Sequence, residues 1–85
     1  MKVLKFYAEW CNPCKMLSKI FEGAADKINL PIEEVDIDDQ MELAQQYGIR
    51  SVPTLVIVDD AGAEVKRHTG FLNESALMNF LGVNE

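Results

Sequence analysis

The chain is poor in several residue types whose scarcity excludes whole classes of protein. Its 85 residues include only two cysteines and one histidine, and 8 basic residues stand against 14 acidic ones, for a formal net charge of −6. An acidic chain is a poor nucleic-acid partner, because neutralising phosphates needs a basic face. Two cysteines are too few for the disulfide framework of a small secreted domain. No apolar run approaches the roughly 20 residues that cross a bilayer, so we expect no membrane partner.

The N-terminal stretch MKVLKFYAEW carries charges where a secretory signal peptide has its apolar segment, so we expect a cytoplasmic protein. In a reducing compartment, a cysteine pair is catalytic, redox-sensing or metal-bound. The hydrophobic fraction of 48% predicts a folded globule. The length predicts a single domain over residues 1–85, which we expect to fold alone as a monomer.

Hydrophobic periodicity predicts elements in the order β-α-β-α-β-β-α, hence one α/β domain. Short apolar or alternating runs predict strands over residues 3–8, 32–37, 54–58 and 63–69. The first two strands are separated by a helical pattern and should therefore run parallel. The last two are joined by the turn residues Asp59, Asp60 and Gly62, which predicts a hairpin.

Three helices are predicted from apolar spacing and capping signals. The first begins at Pro13 and continues to residue 28, ahead of Asn29 and Pro31. The second is capped by Asp39 with Glu42 three residues later and ends at Gly48, and the third is capped by Asn73 and ends at Leu81. Three methionines fall at helical positions typical of core residues: Met16, Met41 and Met78.

The motif WCNPCK places both cysteines where the first strand meets the first helix. Free backbone N–H groups and the positive end of the helix dipole stabilise a thiolate on the leading residue, which makes Cys11 the expected nucleophile. Cys14 lies one turn further on, better shielded, and can resolve a mixed disulfide formed on Cys11. Asn12 and Pro13 hold the turn between them, and Trp10 offers a flat apolar surface for a partner's disulfide.

Two simpler interpretations of the cysteine pair compete with catalysis. A static disulfide closing so short a loop removes little entropy from the unfolded chain, so stability alone is a poor reason for it. A zinc site needs about four ligands, and beyond the two thiolates the chain offers only His68, far along the sequence. No metal or organic cofactor is therefore expected.

The segments FYAEWCNPCKM, VDIDD and YGIRSVPTLVIVD, followed by Gly70, resemble the thioredoxin family from Val3 to Leu81. The resemblance implies a thioredoxin-like fold with a four-stranded mixed sheet flanked by three helices. The N-terminal strand and helix of longer thioredoxins are lacking, an outline closer to glutaredoxins and to the compact thioredoxins of archaea and phages. The resemblance also implies a cis Pro53 facing the sulfurs, with Val52 before it and Gly70 nearby, as the substrate-binding residues alongside Trp10, Asn12 and Pro13.

Two charged positions depart from the family pattern. Thioredoxins usually carry a buried aspartate on the strand before the motif and a lysine near it on the next strand, whereas Lys5 and Glu34 stand there in this sequence. We interpret them as a partly buried pair that keeps a proton relay with reversed charges, Glu34 accepting the proton of Cys14 and Lys5 stabilising a thiolate. The alternative is that both side chains merely reach solvent.

The resulting hypothesis is a thiol–disulfide oxidoreductase that reduces protein disulfides through Cys11 and Cys14. Its expected partners are disulfide-containing proteins and an electron donor, either a thioredoxin reductase-type enzyme or glutathione. Two alternatives remain open from the sequence. One is a glutaredoxin-like, glutathione-dependent reductase, for which Lys15, Lys19 and Arg50 are the basic candidates. The other is a binding subunit with a thioredoxin fold whose cysteines are dispensable.

Overall fold

A computed structural model describes residues 1–83 of the chain. The strands and helices are β1 (Lys2–Tyr7), α1 (Asn12–Gly23), β2 (Ile32–Asp36), α2 (Met41–Gln46), β3 (Thr54–Val58), β4 (Glu64–Thr69) and α3 (Glu74–Leu81). A short 3-10 turn, Ala25–Lys27, follows α1. The predicted order of elements is confirmed, and the strand ends differ from the predicted ones by at most one residue.

The four strands form one mixed sheet in the order β2-β1-β3-β4. β1 and β2 are parallel, as predicted for two strands separated by a helix, while β3 is antiparallel to both β1 and β4. β1 is therefore an inner strand, and the loop that follows it lies near the middle of the sheet, on the side where β1 and β2 end. That loop leads directly into α1, so the topology places the cysteine motif at this end of the strands.

Alternating side chains of the sheet build two apolar layers. Val3 faces the layer that α1 and α3 cover, and its neighbour Leu4 faces the layer that α2 covers. β3 is buried at every position, which explains why it is the most apolar run of the chain. Gly82 ends α3 in the left-handed conformation, with φ 74°. Within the described residues, no helix combines the length and apolarity needed to cross a bilayer.

The helix ends differ from the predicted ones at both ends of α1, which begins one residue early at Asn12, and at the start of α2. α1 ends at Gly23 rather than residue 28, and the chain tightens into the 3-10 turn. Glycine is a weak helix former, and the apolar spacing that continues past it is satisfied by the turn instead. Asp39 does not cap α2, because Gln40 is the N-cap residue and caps through no side chain. The backbone N–H of Asp39 donates instead to the carbonyl oxygen of Asp36, at 3.1 Å.

The methionine prediction is wrong at two of three positions. Met78 is buried, but Met16 is 55% exposed and Met41 is 60% exposed. The buried stripe of α1 follows Cys14, Leu17 and Phe21. A side chain next to such a stripe lies about 100° around the helix from it, which directs Met16 to solvent.

Candidate active site

Cys11 is the N-cap residue of α1, and its Sγ accepts a hydrogen bond from the backbone N–H of Cys14 at 3.1 Å. A disulfide joins the two residues, whose Cα atoms are 5.2 Å apart. The sulfur thus takes the position that a capping oxygen usually has, in front of the free N–H groups of the first turn. The same groups stabilise negative charge on that sulfur once the pair is reduced.

Both cysteines are enclosed by apolar side chains. Cys11 is 4% exposed and Cys14 is 2% exposed, so the expected difference in shielding is small. Together with Ala8 they form a small cluster against which Tyr7 and Val52 pack. Asn12 and Pro13 are exposed at the start of α1. The exposed surface next to the sulfurs is therefore formed by these two residues and Trp10.

The loop before β3 also packs against the disulfide. The carbonyl oxygen of Val52 lies 3.7 Å from Sγ of Cys11, a position to which a reduced thiol can donate. The Val52–Pro53 peptide bond is cis, as the resemblance implies. The backbone N–H of Gly70 donates to the carbonyl oxygen of Pro53 at 2.8 Å. The structure therefore places Val52 beside Cys11, with Pro53 next in the chain and Gly70 hydrogen-bonded to Pro53.

Trp10 is 68% exposed next to the disulfide, and its ring is held by a hydrogen bond. Its Nε1–H donates to Oδ2 of Asp38 at 3.0 Å. The backbone N–H of Asp38 donates in turn to Oδ1 of Asp36, at 2.9 Å. Sequence reasoning missed the role of Asp38. The available signal was its position just after β2, because the parallel strands β1 and β2 end on the same side of the sheet, where Trp10 also lies.

Comparison with known proteins agrees with this geometry. The family model described as Thioredoxin matches residues 1–82. A thioredoxin of Chlamydia trachomatis is 38% identical over 84 residues, spanning 98% of this chain and 81% of the relative. A thioredoxin of Mycoplasmoides gallisepticum is 40% identical over 80 residues, spanning 93% and 79%. The structure of a mutant thioredoxin from Halobacterium salinarum superimposes with a TM-score of 0.85 at 37% identity, covering 98% of this chain and 74% of that one.

The chain belongs to the thioredoxin family. It is a thiol–disulfide oxidoreductase, and the Cys11–Cys14 pair at the start of α1 is its redox-active disulfide. The thioredoxin-like fold predicted by resemblance is confirmed. A glutaredoxin-like enzyme and a subunit with dispensable cysteines are not favoured by these relatives.

The two charged residues that depart from the thioredoxin pattern are in contact. Lys5 and Glu34 are register partners on β1 and β2, and Lys5 Nζ lies 3.2 Å from Glu34 Oε1. Their environments differ strongly, because the Lys5 side chain is 3% exposed whereas that of Glu34 is 60% exposed. Both line a cleft of about 330 Å³ between β2 and the second half of α1. The pair thus extends from the core to solvent.

Ser18 completes this group and was missed by sequence reasoning. Lys5 Nζ donates to Ser18 Oγ at 2.5 Å and lies 5.2 Å from the ring centroid of Phe21. Ser18 and Phe21 are both on α1, three residues apart on one face. A helical serine carries no recognisable signal in the sequence, because its role depends on which strand residue packs beneath it.

Tyr7 is the titratable residue of β1 nearest the cysteine cluster. Burial raises the pKa of the Tyr7 hydroxyl, and the negative charges of Asp36, its register partner, and Glu34 raise it further. A phenol with a raised pKa stays protonated at neutral pH. Tyr7 is therefore a packing surface for the disulfide rather than a base.

The remaining candidate of the sequence, His68, lies away from the motif. Its ring packs edge-on against Phe80 on α3, with the ring centroids 6.1 Å apart. Among residues 1–83, no group of three or more histidine, cysteine or acidic side chains is placed to hold a metal ion.

Proposed function

We propose that this protein reduces the disulfides of other proteins, with Cys11 as nucleophile and Cys14 as resolving residue. One observation carries the proposal. The Cys11 sulfur caps α1, accepting the N–H of Cys14, with the Val52 carbonyl 3.7 Å away. A sulfur in that position is stabilised as a thiolate and lies beside the backbone along which an extended substrate can pair.

In the first step, the Cys11 thiolate attacks one sulfur of the substrate disulfide. A bond forms between that sulfur and Cys11 Sγ, the substrate S–S bond breaks, and the other substrate sulfur leaves with the electron pair. Trp10 and Pro13 present exposed apolar surface beside the attacking atom, and Asn12 lies between Pro13 and Cys11. Val52, Pro53 and Gly70 form the opposite wall against which the substrate chain lies.

In the second step, Cys14 gives up its proton and attacks Cys11 Sγ. The Cys11–Cys14 bond forms, the mixed disulfide breaks, and the second substrate sulfur leaves with the electron pair, so that two electrons have passed to the substrate. Cys14 is 2% exposed, so its proton needs a route to solvent. The cleft lined by Lys5, Ser18 and Glu34 is large enough to admit water, and Ser18 stands one helical turn after Cys14, so we assign this cleft as the route.

Lys5 and Glu34 act on this second step as a relay of reversed charge. The carboxylate of Glu34, at the exposed end of the pair, takes up the proton through water. The Lys5 ammonium, at the buried end, stabilises the thiolate left on Cys14. Their 3.2 Å contact and their shared cleft support this assignment.

We further infer that residues 1–85 act as one domain and as a monomer in the cytoplasm, with electrons from a thioredoxin reductase-type enzyme or from glutathione. All four strands belong to one sheet, which supports the inference of a single domain. The presence of only two cysteines supports the cytoplasmic assignment, because reducing conditions keep such a pair available for thiol–disulfide exchange.

The reduction potential of the Cys11–Cys14 pair tests whether the protein acts as a reductant or as an oxidant. It is measured by equilibration in glutathione buffers with Trp10 fluorescence as the readout. A reductant is expected near −270 mV, the value typical of thioredoxin, whereas a potential near −120 mV is typical of an oxidant. A value at the oxidising end would overturn the reductase assignment. The double variant Cys11→Ser, Cys14→Ser supplies the fluorescence baseline.

The electron donor is tested by coupling substrate reduction to NADPH oxidation with two donors in parallel. One assay contains glutathione and glutathione reductase, and the other contains a thioredoxin reductase. Turnover with glutathione alone would assign a glutaredoxin-like source of electrons. Turnover only with the thioredoxin reductase would assign the other source.

A further inference from the structure

Ser18 lies one helical turn after Cys14 on α1, at a spacing of four residues. Side chains at that spacing share a helix face, with Cβ atoms about 5–6 Å apart. Because each Cα–Cβ bond leans toward the helix N-terminus, the Ser18 hydroxyl is directed toward the turn that carries Cys14. The same hydroxyl accepts a hydrogen bond from Lys5 Nζ at 2.5 Å. Ser18 therefore contacts the buried charge and faces the resolving cysteine.

The polarity of this hydrogen bond constrains the hydroxyl proton. A lysine ammonium can only donate, so Ser18 Oγ is the acceptor and its own proton must point away from Lys5. Within residues 1–83 of the oxidised protein, no hydrogen bond donated by the Ser18 hydroxyl is found. Deprotonation of Cys14 in the second step creates a thiolate, which is an acceptor on the side that Ser18 faces.

Lys5 also approaches the cysteines along its own strand. Lys5 and Tyr7 are two residues apart on β1, so their side chains share a face of the sheet. Tyr7 packs against the cluster that contains both cysteines. The negative partner, Glu34, is 60% exposed and lies on the solvent side of the ammonium. The positive end of the pair is thus the end that is turned to the cysteine motif.

We propose that Ser18 is a positioning residue that couples the Lys5 charge to Cys14. This inference rests on the proposed role of Cys14 as the resolving residue. Ser18 accepts from Lys5 and donates to the thiolate of Cys14, which is then held toward Cys11 with its charge partly balanced. The step is the second one: the Cys14 proton goes to solvent, the Cys14–Cys11 bond forms, and the Cys11–substrate bond breaks.

Few other titratable groups face Cys14. Cys11 lies at the start of the same helix, and Tyr7 and Lys5 belong to β1. Tyr7 stays protonated because its pKa is raised. From β2 the charge of Glu34 acts through Lys5. Asp36 pairs in register with Tyr7. The other neighbours in the cluster, Ala8, Ile37 and Val52, do not titrate. Lys5, relayed by Ser18, is thus the positive side chain of this group.

The two exchange steps can be separated with 5,5′-dithiobis(2-nitrobenzoate) as the oxidising substrate. Attack by Cys11 releases a first thionitrobenzoate, and attack by Cys14 on the mixed disulfide releases a second. Stopped-flow absorbance of the reduced full-length protein gives both rates over a range of pH. A positioning residue for Cys14 affects the second rate alone.

We expect Ser18→Ala to slow the second release about three- to tenfold at pH 7 and to leave the first unchanged. The range follows from a tenfold smaller thiolate fraction that is partly offset by the greater nucleophilicity of a more basic thiol. The pH profile of the second release should move to higher pH. Ser18→Thr keeps the hydroxyl and should retain the rate. Met16→Ala alters an exposed side chain of the same helix and serves as the matched control.

The coupling to Lys5 is tested by a double-mutant cycle, because interacting residues have non-additive effects. In a Lys5→Met background, Ser18→Ala should slow the second release less than it does in the unaltered protein. An equal slowing with and without Lys5, or no slowing at all, would overturn the role of Ser18 while leaving the function of the cysteines intact. Absence of the first release from the unaltered protein would instead contradict the assignment of Cys11, and the role of Ser18 would fall with it.

Discussion

The indole N–H of Trp10 donates to Oδ2 of Asp38 at 3.0 Å, while 68% of the tryptophan remains exposed. The hydrogen bond joins the residue before Cys11 to the loop after β2. Both segments follow parallel strands that end on the same side of the sheet. An exposed aromatic ring held in one orientation is suited to docking, because less conformational entropy is lost when a partner covers it.

Trp10→Phe should raise KM for a protein disulfide about threefold and change the free energy of unfolding by less than about 0.5 kcal/mol, as is usual for a surface position. Steady-state kinetics and urea unfolding give the two values. Asp38→Asn keeps an acceptor oxygen and should leave KM close to that of the unaltered protein. An unchanged KM in Trp10→Phe would show that the hydrogen-bonded indole plays no part in docking.

Gly70 has a φ of +107°, a backbone conformation in which a Cβ is strained even though no atom lies within 4 Å of the Cβ position. Gly70→Ala should therefore lower the free energy of unfolding by about 1–2 kcal/mol. Gly23 at the end of α1 is a matched control with equally open space and no positive φ. Gly23→Ala should raise the free energy of unfolding by up to about 1 kcal/mol. Equal effects at both positions would contradict the backbone argument.

Leu17 and Met16 are adjacent on α1 but have opposite environments, 0% and 55% exposed. Leu17→Ala should cost about 2–5 kcal/mol of unfolding free energy, from lost burial and the cavity left behind. Met16→Ala should change it by less than about 0.5 kcal/mol. Chemical denaturation of both variants is the measurement. A large loss from Met16→Ala would place that side chain in the core after all.

Arg67 forms two hydrogen bonds with Glu64, Nε to Oε2 at 2.8 Å and Nη2 to Oε1 at 2.6 Å. These bonds hold the pKa of Glu64 below its ordinary value of 4.5. A depressed folded-state pKa gives stability that is present above pH 4.5 and is lost as the pH falls through the lower folded value.

Glu64→Gln should therefore be slightly less stable than the unaltered protein at pH 7, by about 0.5 kcal/mol after solvent screening of an exposed pair. Below the folded-state pKa of Glu64 the two proteins should converge. Unfolding free energies measured at pH 7 and near pH 3 give the comparison. A difference that persists unchanged at low pH would mean that the carboxylate charge is not its source.

Local signals account for what could be predicted from the sequence. Proline in the first turn and a cysteine at the N-cap position mark the start of α1, and the side chain of Asn73 caps α3 by accepting the backbone N–H of Ala76. These features depend on neighbours in the chain. Asp39 shows the limit of such signals, because the carbonyl oxygen of Asp36 accepts the backbone N–H that a capping box would pair with Glu42.

Tertiary contacts account for what could not be predicted. Lys5 and Glu34 could be paired only by resemblance, and their unequal exposure depends on the cleft between α1 and β2. Ser18 becomes significant because Lys5 lies beneath it. Asp38 becomes significant because β1 and β2 end at one edge, which places it opposite Trp10.

The most direct test of the account is to trap the mixed disulfide on Cys11. Reduced Cys14→Ser protein is mixed with a peptide disulfide, and the product is digested and analysed by mass spectrometry, with the unaltered protein and Cys11→Ser as controls. The account predicts a stable adduct on Cys11 in Cys14→Ser, no accumulation in the unaltered protein, and none in Cys11→Ser. An adduct that forms equally well on Cys14 in Cys11→Ser, or no adduct on Cys11, would contradict the assignment of Cys11 as the nucleophile.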